Sequence, residues 1–300
     1  MIWILQGSKK LLLPLISLLS GFNNLSNTLQ LIPKAESKES GITILTYNVH
    51  NFRYGTKTSR AYVPKILEYF KSSGAEIICI QEAKLRKGEK LSPQAICDAL
   101  PEINHYKMAS VSSYTGSVTF SKYPIINFGE IRFQGSSNLV LYSDIQISTR
   151  QIIRLYNCHL QSYSIDPDDY SIIDSIRSGT NSDHIVEAKK ISYKLIAGFK
   201  LRALQARKLA DHIRKSPYPV VVCGDFNDTP VSYSYRKVRG EMKDAFVEAG
   251  WGISNTYNGQ LPSFRIDYIL CDQKFVVGKY NRDRILLSDH FPVRCQLSLK

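Results

Sequence analysis

The chain has 300 residues, 43% of them hydrophobic and 22% charged, with a formal net charge of +13. Those proportions exclude a disordered or fibrous chain and leave room for a sizeable core. The excess of base favours acidic partners (nucleic acid, phosphorylated small molecules or an anionic membrane) over a merely solvated basic surface.

Residues 1–40 differ from the rest. Lys9 and Lys10 precede the apolar run LLLPLISLLSGF at 11–22, which Asn23, Asn24 and Asn27 then interrupt. A spanning helix needs about 20 apolar residues, and no A-x-A cleavage site follows. Residues 11–32 are expected to target or tether the chain to a membrane, with the remainder exported. The alternative is a helix packed on the domain of a cytoplasmic protein. PKAESKES at 33–40 reads as a polar linker, so the folded domain is expected over 41–300.

Within that domain ITILTYNV (42–49) and EIICIQ (76–81) read as buried strands, with an amphipathic helix at 61–73 between them. Further strands are expected at 117–125, 139–147, 152–160, 219–226, 265–270 and 292–299. The stretch SYSIDPDDYSIIDSIRSGTNS is polar and turn-rich and reads as a loop. A long basic helix follows at 183–215. Many short strands with interspersed helices point to two packed sheets flanked by helices. Six cysteines form no CxxC pair, which argues against structural zinc. All but Cys97 sit in apolar runs, as small buried hydrophobes do.

Polar residues gather where the apolar strands end. Asn48 closes the first strand and Gln81-Glu82 the second; Asn157 and His159 lie in NCHL. Asp225, Asn227 and Asp228 lie in GDFND, Asp267 in RIDY and Asp289-His290 in SDH. Loops converge at strand ends while the scaffold stays rigid. Hard cations such as Mg²⁺ take oxygen ligands, which Glu82, Asp289 and Asn48 offer. Asp267 and His290 could form a carboxylate–imidazole pair, and Asp225 could deprotonate a water. Asn227 and His159 could hydrogen-bond phosphate oxygens. Asp228 and Thr229 read as turn formers before Pro230, and His50, His105, His184 and His212 as structural.

The ordered set LTYNVHNF (45–52), IQEAK (80–84), GSVTFSKYPI (116–125), NCHLQS (157–162), GDFNDTP (224–230), FRIDYIL (264–270) and LSDHFPV (287–293) resembles the endonuclease/exonuclease/phosphatase superfamily. The resemblance covers about residues 42–299. It implies the DNase I-like fold, an α+β, four-layer α/β/β/α sandwich of two packed mixed sheets flanked by helices. It also implies a metal-dependent hydrolase, with Glu82 as principal metal ligand assisted by Asn48 and Asp289. Mg²⁺ is the expected ion and Mn²⁺ its substitute. His159, Asp225, Asn227, Asp267 and His290 are the catalytic set that it implies. GSVTF departs from the commoner GxAI pattern, and abasic-site endonucleases typically have tyrosine in the region of NCHL. The expected activity is phosphodiester hydrolysis by in-line water attack in a monomer, with nucleic acid as first substrate. A phospholipid or inositol phosphate headgroup is the alternative, and an inactive member that only binds nucleic acid or membrane is a third reading.

Overall fold

The computed structural model describes residues 21, 24–32, 41–54, 61–86, 91–110, 115–163, 167–178, 185–259 and 264–300. Most of the expected leader and the whole 33–40 linker lie outside the described residues, as does His184.

The strands in chain order are β1 (Leu29–Gln30), β2 (Ile42–Asn48), β3 (Ile77–Lys84), β4 (His105–Ser110), β5 (Thr115–Ser121), β6 (Ile125–Arg132), β7 (Leu139–Gln146), β8 (Ile152–His159), β9 (Val220–Asp225), β10 (Lys243–Asp244), β11 (Gly252–Ile253), β12 (Asp267–Cys271), β13 (Phe275–Arg282) and β14 (Val293–Leu299). The helices are α1 (Val63–Ser72), α2 (Pro93–Ala99), α3 (Pro167–Ser178), α4 (Ile185–Arg214), α5 (Tyr233–Arg239) and α6 (Ala245–Ala249). Two six-stranded mixed sheets result, ordered β13-β14-β2-β3-β5-β4 and β10-β12-β9-β8-β7-β6.

Period-two alternation explains how they pack. Ile44 of β2, Ile77 and Cys79 of β3, and Cys295 of β14 meet Ile153 and Leu155 of β8, Val221 and Cys223 of β9, and Ile269 of β12. This is the layer between the sheets. The alternate residues face outward. Leu45, Tyr47, Ile78 and Ile80 pack with Ile66 and Phe70 of α1 and Ile96 of α2. Tyr156, Val220, Val222 and Leu270 pack with Ala206 and Leu209 of α4 and Tyr235 and Val238 of α5. The architecture is the four-layer α/β/β/α sandwich. Both faces of the central strands are covered, so those strands read as unbroken apolar runs. All six cysteines are buried and unpaired.

The structure departs from the sequence expectation in several places. The segment 117–125 is not one strand: β5 ends at Ser121 and β6 begins at Ile125. Pro124 lies between them and cannot donate to a ladder. The polar stretch after Ser162 is not a plain loop, since α3 occupies much of it. Pro167 in its first turn and the adjoining acidic residues suit a helix N-terminus. Strands β4 and β13 have no strong sequence signature because they are sheet edges, where half-exposed residues interrupt the apolar pattern. Residues 24–30, read as part of the leader, are joined to the domain. β1 pairs with β11, and Asn27 accepts hydrogen bonds from Arg239 through its side chain and from Arg265 through its carbonyl, each at 2.6 Å. No helix among the described residues is long and apolar enough to cross a membrane.

Candidate active site

The face that is apolar at one end of the inter-sheet layer becomes polar at the other. On β2 the inward series is Ile44, Thr46, Asn48; on β3 it is Ile77, Cys79, Gln81; on β8 it is Ile153, Leu155, Asn157, His159; on β9 it is Val221, Cys223, Asp225. On antiparallel β12 the series runs the other way, from Asp267 to Ile269 and Cys271. The registers His159↔Asp225 and Asp267↔Asp225 place three of these residues side by side. Fully buried Gln81 and Asn157 join the two sheets at this level. Gln81 Nε2 donates to Asn157 Oδ1 at 2.7 Å, and Asn157 Nδ2 donates to the Val118 carbonyl at 2.9 Å.

Local backbone devices aim the charged groups. Glu82 would lie on the outer face if β3 ran straight. A bulge between Ile80 and Ala83 inserts one residue, and Glu82 adopts φ 50°. Its carboxylate thereby comes within 3.1 Å of the Asn48 amide nitrogen. Gly224, at φ +125°, passes so close to β8 that a Cβ would meet the Cys158 carbonyl at 2.1 Å, so the residue before Asp225 must be glycine. Asn227 follows at φ 52°, a conformation that asparagine tolerates.

The centre is a row of three. His290 Nδ1 donates to Asp267 Oδ2 at 2.9 Å, and its Nε2 lies 3.8 Å from Asp225 Oδ2. Burial lowers the imidazole pKa, but the charges of Asp267 and Asp225 outweigh it and push it up to about 10. His290 is therefore an imidazolium at neutral pH. Burial, with repulsion from Asp267, raises Asp225 to about 6 against the opposing pull of His290. Asp225 is held from three sides: Asn48 Nδ2 donates to Oδ2 at 3.0 Å, Asn227 Nδ2 at 3.2 Å, and the Asn227 backbone to Oδ1 at 2.7 Å. Asn227 also donates to the Leu160 carbonyl at 3.0 Å, so here it positions Asp225.

Beside this row the site opens. Glu82 and Asp289 are partly exposed carboxylates. His50 Nδ1 lies 2.8 Å from Asp289 Oδ1. Burial raises the Asp289 pKa, but the His50 hydrogen bond and the charge of His290 win and hold it below its ordinary value. The His50 pKa is raised in turn, chiefly by that hydrogen bond. His159 Nε2 is 3.5 Å from Glu82 Oε1, is buried, and has no hydrogen-bond partner. Asp267 Oδ1 is likewise buried and unpartnered. A pocket of about 360 Å³ lies over the cluster, with His50, Glu82, Asp225, Asn227, Asp289 and His290 at its polar side. Tyr163, Tyr170, Tyr257 and Phe264 form an aromatic wall, with Ser162, Thr229 and Ile266 completing the lining.

All eight residues singled out from sequence (Asn48, Glu82, His159, Asp225, Asn227, Asp267, Asp289 and His290) thus converge on one region. His50 was read as structural yet lines the pocket, and its place two residues after Asn48 in NVH was the available signal. The aromatic wall had none, because its residues come from separate loops and α3. Asn48 presents its amide nitrogen, rather than an oxygen, to Glu82 and Asp225.

The donor set suits a cation. Four carboxylates, Glu82, Asp225, Asp267 and Asp289, face the imidazolium of His290 and the imidazole of His50. The Asn48 amide nitrogen compensates two of them, while its oxygen accepts from the His50 backbone at 3.0 Å. Asp225, Asp267 and His290 offer ligand atoms within 4.8 Å of one another and could hold a metal ion. His290 already supplies positive charge between those two aspartates. Glu82, Asp289 and Asn48 form the more open oxygen-rich set that hard divalent ions prefer.

The family model described as Endonuclease/Exonuclease/phosphatase family matches residues 45–290. The chain belongs to this family. Its residues thus share a scaffold with hydrolases of phosphoester bonds. No curated protein matches it. Among solved structures it is similar to an endonuclease/exonuclease/phosphatase family protein from Bacteroides thetaiotaomicron, at 18% identity and TM-score 0.64, covering 88% of this chain and 100% of that one. A mannosyl-6-phosphatase from the same species is 18% identical with TM-score 0.58, covering 86% and 100%. TDP2 from Caenorhabditis elegans is 16% identical with TM-score 0.59, covering 85% and 74%. At these identities the likeness is one of fold.

Proposed function

We propose that the chain is a divalent-metal-dependent phosphodiesterase. The reading rests on the Asp225–His290–Asp267 row beside the open carboxylates of Glu82 and Asp289. Glu82, Asp289 and the Asn48 oxygen would hold Mg²⁺, or Mn²⁺ in its place. The ion would supply charge stabilisation for the phosphoryl oxygens.

The chain's own residues do the rest. Asp225 accepts a proton from water as the water oxygen attacks phosphorus in line with the leaving oxygen. Its pKa, raised to about 6 by burial, makes it a stronger base than an ordinary aspartate yet keeps it ionised near neutrality. His290, held as imidazolium by Asp267, faces the negative charge that grows as the P–O bond to the leaving group breaks, and can give its Nε2 proton to the departing oxygen. The unpartnered His159 Nε2 is free to donate to a non-bridging oxygen. No lysine or arginine lines the pocket among the described residues. This favours a diester monoanion over a monoester, which carries close to two charges at pH 7.

Nucleic acid is the first substrate class. The wall of Tyr163, Tyr170, Tyr257 and Phe264 offers faces on which unpaired bases stack. A phospholipid or inositol phosphate headgroup is the second, favoured by the exposed apolar and basic face of α4. One panel tests the reading: single- and double-stranded DNA, RNA, sphingomyelin, phosphoinositides, a bis-ester chromogen and a sugar monophosphate. Each is assayed with Mg²⁺, with Mn²⁺ and with chelator. Diester hydrolysis should vanish on chelation and return with either ion. Undiminished turnover after exhaustive chelation would refute metal dependence, and a monoester preference would refute the diester assignment.

A further inference from the structure

Helix α4 is 30 residues long. Ile191, Arg202, Ala206 and Leu209 on its inward side are buried. The outward side of such a helix is ordinarily polar. Here Val186, Tyr193, Ile196 and Leu204 are 74%, 60%, 46% and 60% exposed. With Lys190 and Lys200 they recur at steps of three and four along 186, 190, 193, 196, 200 and 204, which is one stripe of a helix. Lys189 lies beside it. From Ile185 to Lys208 the chain carries seven lysines and arginines and a single acid, Glu187. Four of those cations have assigned partners. Lys194 and Arg202 bind Asp169 and Asp228, Arg207 donates to Tyr233 Oη, and Lys208 donates to the Arg132 carbonyl. Lys189, Lys190 and Lys200 are exposed and have no ion-pair partner among the described residues.

We propose that this outward face of α4 docks on an anionic phospholipid bilayer. Cations on the same stripe as large aliphatic side chains match a headgroup layer with hydrocarbon beneath it. Lysine stems lie along the apolar surface while their ammonium groups reach the phosphates. Tyr193 suits the headgroup level, polar at one end and apolar at the other. Nucleic acid fits less well, because Val186, Ile196 and Leu204 offer no ring for a base to stack on. A second copy fits less well too, since each chain carries +13. The face borders the pocket. Phe199, itself 48% exposed, packs edge-on against Tyr163 of the pocket wall at 5.4 Å. Lys194 ties α4 to Asp169 of α3, next to the wall residue Tyr170. Docking would therefore bring the pocket rim to the lipid surface.

The test uses the full chain with chelator present, so that binding is read without turnover. Co-sedimentation is compared on vesicles of phosphatidylcholine alone and of phosphatidylcholine with phosphatidylglycerol. The parent should prefer the anionic vesicles. Reversal of Lys189, Lys190 and Lys200 to glutamate should weaken that binding on the order of 100-fold or more, from about fivefold per lysine. Changing Val186, Tyr193, Ile196 and Leu204 to serine should remove the part that survives high salt. Both variants alter exposed positions, and their circular dichroism should match the parent. Residues 1–32 are the same in all three, so differences report on α4. A Tyr193→Trp variant should gain fluorescence quenched by brominated lipid. Unchanged vesicle binding in both variants, an unquenched Trp signal, or loss of oligonucleotide binding with vesicle binding intact would overturn the proposal. None of these outcomes touches the hydrolytic assignment, which the substrate panel decides separately.

Discussion

Asp267→Asn isolates the partner of His290. The substitution keeps the shape of the side chain and removes its charge. Asp267 Oδ2 accepts from His290 Nδ1 at 2.9 Å and is the largest of the influences that raise the imidazole pKa to about 10. One pKa unit is worth about 1.4 kcal/mol, so the rise from 6.5 to about 10 reflects roughly 5 kcal/mol favouring the imidazolium. Because the folded pKa lies above the unfolded one, this stabilisation is complete below pH 6.5 and is lost as pH climbs toward 10. Two measurements follow. Urea unfolding in chelator, from pH 6 to pH 10, should show parent stability falling with pH, by up to a few kcal/mol, and a much flatter profile in Asp267→Asn. The variant's kcat should fall by about 10²- to 10⁴-fold, as when an oriented, charged imidazole is lost. The alkaline limb of its pH–rate profile should move down from near 10. The acid limb, set by Asp225, should stay near or below 6, since the variant removes the Asp267 charge that helps to raise that carboxylate and a bound cation opposes the rise that burial causes. A variant that keeps parental kcat within threefold, or the parental pH slope, would refute the assignment of Asp267 as the group that holds His290 charged.

Two further outcomes follow from the same geometry. Glu82→Gln should leave the fold intact, because the carboxylate is partly exposed, and should raise the Mg²⁺ concentration for half-maximal rate at least about tenfold; an unchanged Mg²⁺ titration would remove Glu82 from the ion site. Asn157→Ala strips fully buried hydrogen bonds from between the sheets and should cost about 2–4 kcal/mol in urea unfolding, whereas a loss under about 1 kcal/mol would mean that Gln81 and the Val118 carbonyl find other partners.

The site was legible because it obeys the strand period. Thr46 and Asn48, Gln81, Asn157 and His159, Asp225 and Asp267 continue, in alternation, the apolar series that fills the inter-sheet layer. A polar residue in a buried series needs a reason, and here the reason is shared. The central strands were legible for a related cause, since burial on both faces writes an apolar run into the chain. The edges were not. β4 reads HYKMAS and β13 FVVGKYNR, half-exposed patterns that suit a loop as well as a strand. Helix α3 was hidden by its polar composition, and with it the place of Tyr170 in the pocket wall. The docking of Asn27 on Arg239 and Arg265 depends on contacts more than 200 residues apart in sequence, which no local pattern records.

Local preference and function part company most clearly at Glu82. Among the described residues five non-glycine residues have positive φ, and all five, His50, Asn51, Phe52, Glu82 and Asn227, lie in the site motifs. Asparagine enters that region at little cost, because its short amide can bond the nearby backbone, and Asn227 spends that freedom holding Asp225. Glutamate has no such compensation, and its conformation costs on the order of 1 kcal/mol. It also sits in a bulge that interrupts the β3–β5 ladder. Glycine or asparagine at 82 would relieve the backbone. What either would remove is the partly exposed carboxylate facing Asn48 and His159. The strained backbone at Glu82 is what a metal-ligating role for that carboxylate would call for, and the Mg²⁺ titration of Glu82→Gln tests that role.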